Sequence, residues 1–327
     1  MTTWGVAGTG GMASLFLDDA SKLTSGHFNA VYSGSLSRAT AFAQQHKLDH
    51  AYDDYNAFVE NPDLDVIYIA GVHTTHADLA IRALQAKKHV LIEKPMTLNV
   101  TQAQQIIAAA KKANRFCAEA LWTRFTPTLE SVISDISSGK IGEIRHISAN
   151  FGFRVDLEDH QQRLLNPQLA GGALLDIGLY PLLLPLFLLG QPTEIKANVE
   201  FSESQVDLAS DLILTYPQGV SAQLSYRLDA YLPNKAFIAG TKGYVELEAP
   251  WFASNRADWC MADQPIESQY FALTNRGWGY EFDEVNRCIA AGLLESPKHS
   301  WQDALSLATL LERIRSEYGP IYPFEQP

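Results

Sequence analysis

Short apolar runs alternate with amphipathic stretches along the first third of the chain. The runs Trp4–Gly8, Asn29–Ser33, Val66–Gly71 and Val90–Ile92 are followed by helical spacing over Met12–Lys22, Arg38–His46, His76–Lys87 and Val100–Asn114. Runs of Val, Ile and Ala without polar alternation are what a parallel sheet covered on both faces requires. Residues 1–121 are therefore expected to form a doubly wound, Rossmann-type α/β domain. Beyond this point strands follow one another instead. Segments Glu143–Phe153, Glu194–Phe201, Leu212–Tyr216, Val220–Leu228, Ala236–Ala239 and Tyr244–Glu248 read as strands, with tight turns at Pro217-Gln218-Gly219 and Thr241-Lys242-Gly243. They predict an α+β domain over 122–327 with a large, mostly antiparallel open sheet. Helices over Tyr280–Gly292 and Trp301–Tyr318 close the chain, the second opened by Ser300 with Asp303 three residues on, a capping-box start.

A chain of 327 residues suits this division into two domains. The formal charge of −12 would repel a phosphate backbone, which argues against nucleic acid and anionic membrane as partners. Cys117, Cys260 and Cys288 are odd in number and widely separated, unlike a disulfide framework, so a reducing compartment is expected. The chain enters an apolar strand at Trp4, leaving no room for a signal-peptide core, and Leu179–Leu189 is shorter than the roughly 20 residues of a spanning helix. A cytoplasmic protein is the expectation.

Strand Trp4–Ala7 runs into Gly8-Thr9-Gly10-Gly11-Met12-Ala13 and then a helical pattern. Gly8 permits the tight turn, Gly10 lets the backbone approach a pyrophosphate, and Ala13 lets helix and strand pack closely. Gly11 and Met12 bring the helix N-terminus, with its N–H donors, to the same place. Dinucleotide binding follows from the position of this motif at the first βα junction; the motif alone would be weak. An acidic residue about 20 positions on would mark NAD. None lies between Asp19 and Asp49, where Ser33, Ser35 and Arg38 stand instead. Hydroxyls and a guanidinium suit a 2′-phosphate, so NADP is preferred and NAD remains open.

Strand Val90–Ile92 ends in Glu93-Lys94-Pro95, which puts a lysine at the carboxyl edge of the sheet, where ligands of open α/β folds bind. Taken with the glycine loop and Gly171-Gly172-Ala173-Leu174-Leu175-Asp176-Ile177-Gly178-Leu179-Tyr180, it resembles the glucose-fructose oxidoreductase / inositol dehydrogenase (Gfo/Idh/MocA) family over nearly the whole chain. Ala120-Leu121-Trp122-Thr123-Arg124-Phe125, Ala239-Gly240-Thr241-Lys242-Gly243 and Glu295-Ser296-Pro297 are most similar to its dimeric dihydrodiol dehydrogenase and NADP-dependent D-xylose dehydrogenase branch.

The resemblance implies hydride transfer between the nicotinamide and a carbinol carbon, with Tyr180 as acid/base and Lys94 beside it. A phenol of ordinary pKa about 10 works near neutrality only if a cation stabilises its phenolate, and Lys94 can be that cation. Asp176 would orient the lysine or bind a substrate hydroxyl, on one helical face with Tyr180 unless Gly178 and Pro181 break the helix.

His76 matches a family histidine of the nicotinamide pocket; His73 stands where Asn is common, and both join Glu93 and Lys94 as candidate cofactor contacts. At Gly34 the chain departs from mammalian dihydrodiol dehydrogenases, which resemble one another in carrying a second arginine. No third ligand joins the two histidines at a metal-binding spacing. Trp122, Arg124, Phe151, Phe153 and Trp251 are expected to wall the substrate site in the second domain, whose sheet would serve for homodimerisation. The expected substrate is a sugar or cyclic vicinal diol. An inositol or amino-sugar dehydrogenase, or a non-catalytic NAD(P) sensor of the same fold, remain as alternatives; the presence of both Lys94 and Tyr180 favours catalysis.

Overall fold

The computed structural model describes residues 1–159 and 162–325. They form two compact units, and the chain visits each of them twice: Met1–Phe125 with Thr274–Leu305, and Thr126–Leu273 with Ser306–Pro327. The expected single crossing at 122 is therefore replaced by three, because an amphipathic helix can return to an earlier sheet without any local signal in the sequence.

In the first unit, β1 (Thr2–Ala7), α1 (Gly11–Ala20), β2 (Gly26–Tyr32), α2 (Leu36–His46), β3 (His50–Tyr52), α3 (Tyr55–Glu60), β4 (Val66–Ile69), α4 (His76–Gln85), β5 (His89–Glu93), α5 (Val100–Ala113) and β6 (Cys117–Ala120) follow in order. The strands form a six-stranded parallel sheet, ordered β3-β2-β1-β4-β5-β6. All four residues of β4 are buried, as a central strand covered on both faces demands. The short β3 and β6 carry too few residues for a periodicity to show.

The helix Trp278–Ala290 of the returning segment packs on this unit. Phe282 is fully buried, its ring 4.8 Å from Trp4 and 5.6 Å from Phe28. The buried Asp19 of α1 accepts the N–H groups of Arg276 (3.0 Å) and Trp278 (3.2 Å), serving the start of that helix where Gly277 offers no side chain.

The second unit continues with α6 (Pro127–Ser137), β7 (Ile144–Gly152), α7 (Leu179–Leu189), β8 (Glu194–Phe201), β9 (Asp207–Thr215), β10 (Ser221–Arg227), β11 (Ala236–Gly240), β12 (Gly243–Leu247), β13 (Arg256–Met261) and β14 (Glu267–Tyr270). Its eight-stranded sheet, β14-β13-β12-β11-β7-β10-β9-β8, is antiparallel except where β7 meets β10. Helices α8 (Trp278–Ala290) and α9 (Trp301–Tyr318) complete the order. The capping box forms as expected: Asp303 accepts from the Ser300 backbone N–H (2.8 Å), and the Asp303 N–H donates to Ser300 Oγ (3.2 Å).

The helical stretch Pro167–Leu189 is long and apolar enough to cross a membrane by length and composition, longer than the α7 residues alone suggest. Of its most apolar 18 residues, 78% are buried in the structure, as befits a core helix. Its entry is fixed by Asp207, whose Oδ2 accepts the Leu174 N–H at 2.6 Å. Gly172, at φ +117°, is required here: a Cβ would stand 2.1 Å from Asp207 Oδ1. That oxygen has no hydrogen-bond partner among the described residues, and burial pushes the carboxyl up to about 6, against an ordinary 3.8.

A raised folded-state pKa means that protonation favours the fold, so its stabilising contribution grows as pH falls through 6 and is lost as pH rises. Asp207→Asn removes this dependence. Its stability relative to the parent should drop by up to roughly 3 kcal/mol between neutral pH and pH about 4, in paired denaturant titrations.

Candidate active site

Strands β1, β4 and β5 are parallel neighbours, so the loops after them emerge at one edge of the first unit's sheet. Gly8 follows β1 at φ +133°, and a Cβ there would lie 2.4 Å from the Ala70 carbonyl oxygen. Its need for glycine thus comes from the approach of the chain after β4 as well as from the turn. Gly10 is the extended N-cap of α1 and offers its first turn no side-chain acceptor; a Cβ on Gly10 or Gly11 would meet nothing within 4 Å. The backbone of this turn faces open space, with Met12 half-buried and Ala13 fully buried against the sheet. These features fit a pyrophosphate held by main-chain N–H groups.

At the end of β2 the expected polar cluster is assembled. Arg38 Nε donates to Ser33 Oγ (3.3 Å), and Ser35 Oγ lies 2.8 Å from Ser37 Oγ. Arg38 is exposed, and a Cβ on Gly34 would meet open space.

Lys94 follows β5, half-buried, in a turn held by its neighbours. Its backbone N–H donates to Glu93 Oε2 (3.2 Å), while Glu93 Oε1 accepts from the Tyr68 hydroxyl (2.5 Å). Glu93 is buried, and these two contacts support the lysine turn. Glu281 of α8 is also fully buried, with neither carboxyl oxygen hydrogen-bonded among the described residues; burial, and then the charge of Glu93, hold its pKa well above the carboxylate range.

His76 is likewise directed inward. It is fully buried, with Nδ1 3.0 Å from the Pro95 carbonyl oxygen and Nε2 3.3 Å from that of Gly71. Both ring nitrogens thus lie near main-chain carbonyl oxygens, and a neutral ring, with one N–H, donates to one of them. The buried His73 ring stands edge-on to it at 5.7 Å. Trp122 and Arg124, read from the sequence as part of the second domain, occupy a short 3₁₀ turn that belongs to the first unit. Trp122 packs 5.7 Å from Trp278 of α8.

In the second unit a π-helical turn, Leu174–Gly178, leads directly into α7. The helix is not broken at Gly178 or Pro181, the exception that the sequence leaves open. The wider turn loosens the ladder just ahead of Pro181, whose missing N–H then falls in the first turn of α7. Asp176 lies in this π turn and is paired with Arg163, Oδ1 accepting from Nη2 at 2.7 Å. No spacing in the sequence ties 163 to 176. Tyr180 is 6% exposed, its ring 5.4 Å from Phe151 and 5.7 Å from Phe252.

Phe151 in turn stacks on Phe252 at 4.1 Å and meets Phe153 at 6.1 Å. Trp251 is buried, and its indole N–H donates to the Asn150 carbonyl (3.0 Å). Besides Phe151, Tyr180 thus neighbours Phe252, one position beyond the tryptophan singled out from sequence, because the 3₁₀ turn Trp251–Ala253 directs successive side chains apart.

Residues 2–120 match the oxidoreductase family with an NAD-binding Rossmann fold, and residues 132–246 match the GFO/IDH/MocA C-terminal domain. Trans-1,2-dihydrobenzene-1,2-diol dehydrogenase of Xenopus tropicalis is 33% identical over 331 positions, covering 98% of this chain and 99% of that one. The 3-ketoreductase KijD10 of Actinomadura kijaniata, solved with NADP and TDP-benzene, superposes with a TM-score of 0.85 at 26% identity, covering 96% of this chain and 97% of that one. The aldose-aldose oxidoreductase of Caulobacter crescentus shares the fold at a TM-score of 0.85 and 24% identity, over 98% of this chain and 99% of its own. The chain belongs to the Gfo/Idh/MocA family and is an NAD(P)-dependent dehydrogenase acting on CH–OH groups.

Proposed function

We propose that the protein transfers a hydride between NADP and a secondary alcohol or hemiacetal carbon of a sugar or cyclic vicinal diol. The observation that carries this reading is the convergence, at one sheet edge, of the open glycine turn, the Ser33/Ser35/Arg38 cluster and the braced Lys94. The relatives support the substrate class, one being named for a dihydrodiol and another acting as a ketoreductase with NADP. A nicotinamide held at the glycine turn would supply the hydride acceptor for alcohol oxidation. Tyr180, as a phenolate stabilised by Lys94, takes the hydroxyl proton and becomes the phenol, and Asp176, held by Arg163, positions a substrate hydroxyl. A screen of aldoses, inositols and trans-dihydrodiols with NADP and with NAD, read by absorbance of the reduced cofactor, tests it. Turnover of inositols alone would overturn the substrate class.

Arg38→Ala should weaken NADP binding selectively, by about 1.5–3 kcal/mol, as expected for hydrogen bonds to a charged group. Equal losses for NAD and NADP in titration calorimetry would contradict the 2′-phosphate assignment.

The second unit's sheet supports a homodimer reading. Its solvent face carries Ile213 (45% exposed), Phe237 (37%) and Tyr244 (41%), with His146 5.8 Å from Phe237. Apolar groups on an open sheet face favour coverage by a second copy. Light scattering at micromolar concentration should return twice the chain mass, and Phe237→Asp should shift it towards the single mass. Three free cysteines, two of them buried, accord with a reducing cytoplasmic setting.

A further inference from the structure

We propose that the buried Glu119–His299 pair is a positioning device for Lys94, an inference that rests on Lys94 acting on the proton-transfer group as described above. Glu119 lies on β6, opposite Ile92 of β5 and so two residues short of the lysine. Its side chain is 3% exposed and makes two contacts of different kinds. Oε1 accepts the Met96 backbone N–H at 2.7 Å, and Oε2 accepts from His299 Nε2 at 2.9 Å. The His299 side chain is 1% exposed.

Burying a carboxylate is unfavourable unless its partners repay the lost hydration, and a hydrophobic pair of similar volume would serve the core as well. What a hydrophobic pair could not supply is the bond to Met96. That bond fixes the main chain just after Lys94-Pro95, as His76 fixes the Pro95 carbonyl and Glu93 the Lys94 N–H. The turn is therefore held at three successive residues by side chains from α4, β5 and β6.

His299 sets the direction of the β6 contribution. It precedes α9 in a segment tied to the same strand, since the Trp301 indole N–H donates to the Cys117 carbonyl at 2.9 Å. With Oε2 occupied by His299, the remaining oxygen of Glu119 is oriented toward Met96. A residue of the returning segment, 180 positions from Glu119, thereby sets where the lysine turn lies.

The test compares Glu119→Ala, His299→Ala and the near-isosteric Glu119→Gln in the full-length enzyme, with Lys94→Met assayed alongside. Cofactor affinity, kcat, KM and the pH profile of alcohol oxidation are measured for each. Glu119→Ala should lower kcat by roughly ten- to a hundredfold, the scale of an ångström-sized misplacement, and move the rise in rate to higher pH. NADP affinity should change less than about twofold, a split that general loosening of the fold would not produce. Glu119→Gln keeps an acceptor for Met96 and should recover most of the rate. If Glu119→Ala does not fold, His299→Ala carries the same expectation with β6 intact.

A Lys94→Met profile that shifts, beside alanine variants with parental kcat and profile, would overturn the positioning role and leave the reading of Lys94 standing. An unshifted Lys94→Met profile would overturn both. Equal losses in kcat and cofactor affinity with an unmoved profile would reduce the pair to a structural one and overturn the inference.

Discussion

Tyr180→Phe is expected to lower kcat by roughly 100- to 10,000-fold while leaving cofactor affinity nearly intact, the usual worth of a positioned acid/base. The substitution removes only the hydroxyl. The ring contacts with Phe151 and Phe252 that place residue 180 remain available to phenylalanine, so the loss reads as chemistry and not as misfolding. Lys94→Met should lower kcat to a similar extent and displace the oxidation profile to higher pH, because the phenolate loses its stabilising charge. Under the mechanism proposed, in which the lysine acts on the tyrosine's pKa, the two losses should not add. Near-parental turnover by Tyr180→Phe would remove it from the proton path. His76 would be a poor replacement, with both its ring nitrogens facing carbonyl oxygens.

The second large effect concerns stability. Phe282→Ala should destabilise the protein by about 3–5 kcal/mol, because it opens a cavity where four aromatic rings meet. Phe282 is fully buried and lies 4.8 Å from Trp4, 5.6 Å from Phe28 and 6.2 Å from Phe16. Neighbours that are themselves fixed by a sheet and a helix cannot collapse to fill the space. Denaturant titration measures the loss. A change below about 1 kcal/mol would show that α8 contributes little to the core of the dinucleotide-binding unit.

The parallel sheet and the antiparallel one were legible because their strands show two different patterns, continuous burial in β1, β4 and β5 and alternation in β10. The cofactor turn was legible for a related reason: Gly8 and Ala13 meet steric demands that operate within a few residues. Long-range side-chain pairings left no such trace. Arg163 on Asp176, His299 on Glu119 and Asp207 on Leu174 each join segments with no common period, and none follows from local propensity. The return of α8 was hidden in the same way. Its apolar stripe shows that it covers something, and only the three-dimensional packing shows what.

This chain path has a bearing on how the protein is made. Residues 274–305 complete one unit and 306–327 the other, the latter including Tyr322, which is fully buried with its hydroxyl donating to the Gly171 carbonyl at 2.7 Å. A nascent chain halted anywhere before residue 274 would lack the closing pieces of both. Its Trp4, Phe16 and Phe28 would want their Phe282, a surface of the kind chaperones bind and proteases reach. A product truncated there is therefore expected to be incomplete in both units together, not in one alone.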